Sequence, residues 1–275
     1  MRAIALWGVA VLVTVLSAPC QAHAQGPDTL AVPVAGHRMR LIVSGQRTPT
    51  LVLEAGSGGT SRTWRTLQPS LAALGRVVAY DRAGLGGSEP SPRPRTARVI
   101  AEELRSALRA ARLPPPYLLI AHSAGGVYAR VFAATFPAEV MGLVLVDPAA
   151  EDFYARAKRE YPQVYAHFDS LDAADVASRP PGERAEEDAW DTNLALVRTL
   201  DARMRAPAIV LSSPRADMAE LGPLWTDEHR RWAARAPGRE YVRVDRVGHS
   251  IHRERPEVVL EAVQRVLAGA ARRRD

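Results

Sequence analysis

The stretch Tyr117-Leu118-Leu119-Ile120-Ala121-His122-Ser123-Ala124-Gly125-Gly126 decides how this 275-residue chain is read. Tyr117 to Ala121 reads as a buried strand that runs straight into a tight turn carrying Ser123. A helix then starts at about Gly125 and continues through Val127 to Ala134. Ala121 and Gly125 flank the serine two residues to either side. Small residues are needed there, because so sharp a strand-to-helix turn forces strained backbone angles on its central residue and bulky neighbours would clash. The turn lifts the hydroxyl clear of the sheet, where a base can reach it. This is a nucleophile elbow, with Ala121 in place of the usual first glycine.

Outward from the elbow, apolar runs alternate with helical patterns, which argues for a mainly parallel sheet with helices on both faces. An opening hairpin region at His37 to Ser44 is followed by strand-like runs at Thr50 to Glu54, Arg76 to Tyr80, Gly142 to Val146, Ala208 to Ser212 and Glu240 to Val244. Helical stretches fall at about 61–74, 97–112, 125–136 and 256–270. One segment breaks the rhythm. Between Pro148 and Pro207 only charged helical pieces occur, Glu151 to His167 and Asp188 to Met204, interrupted by Ser178 to Arg184. An insertion at this point belongs over the ligand-facing edge of the sheet, as a lid or as a helical excursion with no gating role.

An acylating serine needs a base, a group that orients the base, and donors for the developing oxyanion. The loop Asp245-Arg-Val-Gly-His-Ser-Ile-His252 follows the last strand and offers His249 as base. His252 lies nearer the final helix and reads as an ordinary structural histidine. The two have HxxH spacing, but without a third ligand that is a weak metal signal. His122, beside the serine, is ill placed to serve as base. Leu53-Glu-Ala-Gly-Ser-Gly-Gly-Thr60 ends a strand in a glycine-rich loop, where Ser57 or Gly58 is expected to give one oxyanion N–H and Ala124 the other. No lysine and hydroxyl residue follow the loop as a phosphate site requires. Two aspartates compete as the orienting acid. Asp147 stands at the end of the strand after the elbow helix, and Asp217 stands in the loop after the next strand. Each also has a bland reading: Asp147 before Pro148 as a helix cap, and Asp217 with Glu220 as a capping box.

The whole chain bounds these readings. Its length suits one α/β domain with a modest insertion, and 47% hydrophobic residues suffice for a full core. Met1-Arg2, an apolar run from Ala3 to Leu16 and Ala22-His23-Ala24 read as an export signal cleaved before Gln25, leaving 25–275 in the periplasm or medium. The apolar run is too short for a stable membrane anchor. Ser17-Ala18-Pro19 before Cys20 is a poor lipidation signal. Cys20 is the only cysteine, so the mature chain has no thiol chemistry and no disulfide. The net charge is +6; residues 1–24 hold one arginine and no acid, so the rest carries +5. Lys158 is the only lysine, and the basic Arg272 to Arg274 run reads as a solvated tail. No basic face interleaved with aromatics points to nucleic acid.

Together these residues resemble the α/β-hydrolase superfamily, and the likeness runs from about His37 to Val266. Asp81-Arg-Ala-Gly-Leu-Gly-Gly-Ser88 is similar to the superfamily's aspartate–arginine–glycine turn after the fourth strand. Pro116-Tyr117, Tyr128-Ala-Arg130, Val146-Asp-Pro148 and Gly248-His249 resemble a bacterial, exported serine-hydrolase subgroup. The resemblance implies a mostly parallel eight-stranded sheet flanked by helices, with residues of about 149–206 as a helical lid. It implies serine, acid and histidine in that chain order, which fits Ser123, either aspartate, and His249. Members usually place the acid where Asp217 stands; some use the position of Asp147, which the Val-Asp-Pro turn favours. Dehalogenase and epoxide-hydrolase members carry aspartate where this chain has Ser123. The implied reaction is hydrolysis of a small-molecule carboxylic ester through an acyl-enzyme, without cofactor or metal. Amide or lactone hydrolysis, acyl transfer and perhydrolysis would use the same residues, and a ligand-binding protein on a retained hydrolase fold is the alternative of a different class. Trp190, Tyr154, Tyr161 and Phe153 are candidates to line an acyl pocket or to pack the insertion's own core.

Overall fold

The computed structural model describes residues 26–175, 178–218 and 220–272, so the leader read in residues 1–24 lies outside the described residues. Two antiparallel strands open the fold, β1 (Asp28–Val34) and β2 (His37–Ser44). Six more follow: β3 (Thr50–Glu54), β4 (Arg76–Tyr80), β5 (Tyr117–His122), β6 (Val140–Val146), β7 (Ala208–Ser212) and β8 (Arg239–Arg243). They form one sheet in the order β1-β2-β4-β3-β5-β6-β7-β8. The pair β2–β4 is antiparallel, and from β4 through β8 every neighbouring pair is parallel. This is the α/β-hydrolase fold.

The middle strands are buried on both faces because helices cover both. Side chains alternate between two cores: Val52 faces one, Leu51 and Leu53 the other. On the first face lie α2 (Ala97–Ala110), α3 (Gly125–Thr135) and α8 (Leu221–Ala234), which contribute Ile100, Leu104, Phe132 and Trp225. On the second lie α1 (Gln68–Ala72) and α10 (Pro256–Arg272). Val259, Val263 and Val266 of α10 recur at helical spacing and are buried there. Burying each such side chain contributes roughly 1.5–3 kcal/mol. No described helix is long and apolar enough to cross a membrane.

Strand β1 and helix α8 were not expected from the sequence, and physical reasons explain both. Strand β1 contains Pro33, which weakens a strand reading; as the sheet's edge strand it tolerates a missing N–H. Helix α8 begins Leu221-Gly222-Pro223, two helix breakers that mask its amphipathic remainder. The stretch expected to be helical over 61–74 is a 3₁₀ turn, Ser61–Trp64, followed by the short α1. In the insertion, α4 (Phe153–Glu160) and α5 (Pro162–Asp175) meet at Tyr161, since Pro162 opens a new helix. Helix α6 (Pro181–Asp188) starts inside the segment read as an interruption, and α7 (Trp190–Leu200) follows. A short α9 (Ile251–Glu254) precedes α10. The ends of β3, β4, β5, β6, β7 and β8 release Ser57, Arg82, Ser123, Asp147, Arg215 and His249 respectively on one edge of the sheet. That is the edge at which sheets of this kind bind ligands.

Candidate active site

Ser123 has φ +53, a left-handed conformation that costs a non-glycine residue on the order of 1–3 kcal/mol. Its surroundings hold it there. The Ser123 N–H donates to Val146 O (3.2 Å), and its carbonyl accepts from Gly126 N and Ala149 N, both at 2.9 Å. A Cβ on Gly125 would stand 2.5 Å from Ala55 O and 2.7 Å from Glu54 O, so β3 and α3 meet here only through a glycine. Gly56 backs directly onto the turn, its Cβ position 3.1 Å from Ser123 Cβ.

His249 donates from Nδ1 to Asp147 Oδ2 at 2.6 Å. Asp147 is wholly buried, and every direction around its carboxylate is filled. Oδ1 accepts from Ser213 N (2.9 Å) and Trp225 Nε1 (2.8 Å), while Oδ2 also accepts from Ser213 Oγ (3.0 Å). Burial opposes ionisation, but the hydrogen bonds from His249 and Trp225 hold the carboxyl below its ordinary range. With Nδ1–H given to Asp147, the other ring nitrogen, Nε2, is left as an acceptor. Asp147 therefore does not cap a helix; its φ is +45 and α4 begins six residues later.

Asp217 is placed otherwise. It accepts from Arg215 Nε (3.0 Å) and Nη2 (2.9 Å), with its side chain 55% exposed. It makes no side-chain cap for α8, whose N-cap is Glu220. Arg215 in turn stands 3.2 Å from His249 Nδ1. Because that nitrogen has one proton and gives it to Asp147, the guanidinium flanks the ring as a charge and not as a second orienting bond.

The neighbouring histidines form a stack beneath His249. The His122 ring lies 4.5 Å from both the His249 and His252 rings, and His252 lies 4.9 Å from Trp64. His122 Nε2 is 3.0 Å from His249 O, a contact that makes it the donor and ties down the loop bearing His249. Burial, with the adjacent imidazoles, pushes His122 well below the usual histidine range. His252, also buried and without a hydrogen-bond partner on either nitrogen, is pushed down to about 4. Among the described residues no group of three or more His, Cys, Asp or Glu side chains is arranged to hold a metal ion.

The glycine-rich loop after β3 faces Ser123 from the other side. Among the described residues, the backbone N–H groups of Ser57, Gly58 and Ala124 carry no hydrogen bond. Gly58 takes φ +59, and Gly59 N closes the turn onto Gly56 O at 3.1 Å. Arg82, 1% exposed, fixes this loop with all five of its donors. It reaches Glu54 Oε1 (2.8 Å), Ala55 O (2.7 Å), Gly56 O (2.8 Å) and both oxygens of Glu186 on α6 (2.7 and 2.9 Å). Tyr80 donates to the other Glu54 oxygen. Burial raises Glu54 to about 7 even against the Arg82 charge. Helix α6 also seats directly on the turn after β4, where a Cβ on Gly182 would lie 2.6 Å from Gly84 O. A second tie runs from Ser57 Oγ to Glu183 Oε1 at 3.3 Å.

Above Ser123 and Ala124 the insertion encloses a cavity of about 540 Å³, to which α4, α5, α6 and α7 all contribute. Tyr154 and Trp190 line it, with ring centroids 6.1 Å apart and planes at 90°. Phe153 packs instead against Trp225 at 4.9 Å, and Tyr161 packs against the core. Sequence reasoning missed Ser213, Trp225, Arg82 and the α6 carboxylates. The arginine lay in the quoted Asp-Arg-Ala-Gly turn, but nothing local marks which arginine will be buried.

The Alpha/beta hydrolase family model matches residues 51–262. The protein YqjL of Bacillus subtilis, itself uncharacterized, is 29% identical over 230 residues, which is 82% of this chain and 86% of that protein. An AB hydrolase superfamily protein of Gibberella zeae is 36% identical over 38% of this chain and 34% of its own length. Among solved structures, a thermophilic esterase from Thermogutta terrifontis is similar with a TM-score of 0.64 at 20% identity, over 88% of this chain and 99% of that one. Epoxide Hydrolase A from Mycobacterium thermoresistibile gives 0.67 at 20% identity, over 88% and 98%. At such identities the likeness is one of fold, and it spans more than one chemistry.

Proposed function

The chain belongs to the alpha/beta hydrolase family, and within it we propose a serine hydrolase that cleaves small-molecule carboxylic esters through an acyl-enzyme. The observation that carries this reading is the hydrogen bond of 2.6 Å from His249 to the buried Asp147, on the same sheet edge as a serine held at φ +53.

In the proposed mechanism Ser123 Oγ attacks the ester carbonyl carbon while His249 Nε2 takes the hydroxyl proton. Asp147 keeps the imidazole in the tautomer that accepts there, and its charge stabilises the imidazolium that forms. The carbonyl oxygen becomes an oxyanion, held by the free N–H groups of Ala124 and of Ser57 or Gly58, each donor being worth roughly 3 kcal/mol. The C–O bond to the alcohol then breaks, and His249 returns its proton to the departing alkoxide. Water repeats the sequence on the acyl-enzyme, with His249 again the base, and releases the carboxylic acid and free Ser123. Ser123 and His249 share no hydrogen bond in this structure, and such bonds commonly tighten only when substrate binds. Serine in place of aspartate at the elbow supports acyl over alkyl chemistry. The leader-like residues 1–24 support export, which N-terminal sequencing of the exported protein tests.

The direct test is turnover of short-chain p-nitrophenyl esters by purified protein beside Ser123→Ala and His249→Gln. The proposal expects hydrolysis that both substitutions reduce to background. Equal turnover by Ser123→Ala, or none by folded wild type toward any acyl ester, overturns it.

A further inference from the structure

We propose that the cavity above Ser123 takes esters bearing a cationic ammonium group, an inference that rests on the ester-hydrolase reading above. The chain is basic overall, at +6, yet this cavity is acidic. Among the described residues six carboxylates line it, and Arg179 is the one cation in the lining. Glu186 is neutralised by Arg82, and Glu187 pairs with Arg179. Asp169, Glu183, Asp188 and Asp191 have no ion-pair partner among the described residues. Elsewhere the fold matches its inward-facing acids with arginines, as in Arg95–Glu103, Arg105–Glu139 and Arg130–Glu151. The unmatched carboxylates thus gather where a substrate must enter. They start close to the reacting groups, because Glu183 already touches Ser57.

Aromatic walls supply the second, independent observation. Tyr154 and Trp190 stand edge to face, and Tyr165 lines the cavity with them. A cation over the face of an aromatic ring is attracted by the ring quadrupole. Carboxylates and aromatic rings that line one cavity suit a quaternary or protonated amine. They disfavour an anionic substrate by repulsion, and they disfavour a long alkyl chain because burying it would desolvate the carboxylates. A cavity of about 540 Å³ is of a size for a small-molecule ester. Partial exposure of the acids and salt screening limit the gain, and converging like charges in a cleft raise capture of a counter-ion by on the order of tenfold or more at low salt.

The ammonium group fits either half of the ester, so the experiment uses two pairs matched in shape. Acetylcholine and 3,3-dimethylbutyl acetate differ only by charge in the alcohol. Ethyl 4-(trimethylammonio)butanoate and ethyl 5,5-dimethylhexanoate differ only by charge in the acyl group. For the wild-type protein, kcat/KM for each is normalised to that ester's hydroxide-catalysed rate. The proposal expects the charged member of at least one pair to be favoured about tenfold or more at low salt. It further expects that ratio to fall several-fold in Asp188→Asn/Asp191→Asn and in about 0.5 M sodium chloride. Ratios near one in both pairs, or ratios that the double substitution and salt leave unchanged, overturn it. If none of the four esters is cleaved, turnover of p-nitrophenyl esters decides the hydrolase reading separately, and calorimetry still decides the present one. Ser123→Ala protein is expected to bind acetylcholine about tenfold more tightly than 3,3-dimethylbutyl acetate, and equal affinities refute the inference.

Discussion

Replacing Asp147 by asparagine should cost about four orders of magnitude in kcat while leaving the fold in place. The carboxylate accepts four hydrogen bonds, from Ser213 N, Ser213 Oγ, Trp225 Nε1 and His249 Nδ1. An asparagine has the same shape, and its oxygen satisfies the Ser213 N and Trp225 donors that now meet Oδ1. Its NH₂ group then occupies the place of Oδ2, facing His249. A donor facing Nδ1 turns that nitrogen into the acceptor and moves the ring proton to Nε2, the atom that must receive the Ser123 proton. The wrong tautomer costs ~10⁴ in a serine–histidine–aspartate site, or about 5 kcal/mol of transition-state stabilisation. Asp217→Asn should lose less than about tenfold, since Asp217 is half exposed and touches the site only through Arg215. The assay is kcat/KM on p-nitrophenyl acetate for the two variants, with thermal melts to show that both fold. If folded Asp147→Asn stays within about tenfold of wild type while Asp217→Asn falls by ~10³, the reasoning is refuted.

The structure makes further predictions about stability. Burial holds Glu54 in the fold at about 7 against an ordinary 4.5, so the folded state keeps a proton that the unfolded chain has lost. Stability therefore declines as pH rises between about 4.5 and 7; Glu54→Gln should remove that slope, a difference of up to about 3 kcal/mol, and denaturant melts across the range would show whether it persists. His252 runs the other way: depressed to about 4 from 6.5, it must stay neutral in the fold, so stability is lost as pH falls through that window. His252→Phe keeps a ring against Trp64 and should unfold at a lower pH on acid titration; an unchanged midpoint would count against the assignment. Gly125→Ala drives a Cβ to within 2.5 Å of Ala55 O and should cost roughly 1–3 kcal/mol, seen as a drop of about 2–10 °C in melting temperature; an unaltered melt would show that the β3–α3 contact yields.

What the sequence made legible followed the elements whose reading is local. The strands β3 to β7 are runs of apolar residues covered on both faces, and all were readable as such. Ser123 was legible because the elbow requires small residues within two positions of it. Strand β1 and helix α8 were hidden by Pro33 and by Gly222-Pro223, which matter to a local reading but fit an edge strand and a first helical turn. The sequence favoured Asp147 but left Asp217 as the alternative acid, because both follow strands on the same edge. What separates them is three-dimensional: Ser213 and Trp225, from β7's end and α8, close around Asp147 and leave Asp217 to Arg215. The acidic cavity was hidden for the same reason. Glu183 lay in the stretch read as an interruption and Asp188 at the start of a charged helical piece, and nothing local shows that α6, docked through Arg82 and Gly182, brings both to the cavity above Ser123.

The central claim is that Ser123 is an activated nucleophile served by His249, and covalent labelling reaches it most directly. Purified protein would be treated with a serine-directed phosphonate and the adduct located by peptide mass mapping. The account predicts one label per chain, on the peptide containing Ser123, absent from Ser123→Ala and slowed by orders of magnitude in His249→Gln. A folded wild-type protein that takes no label, or takes it at another serine with Ser123→Ala unaffected, would contradict it.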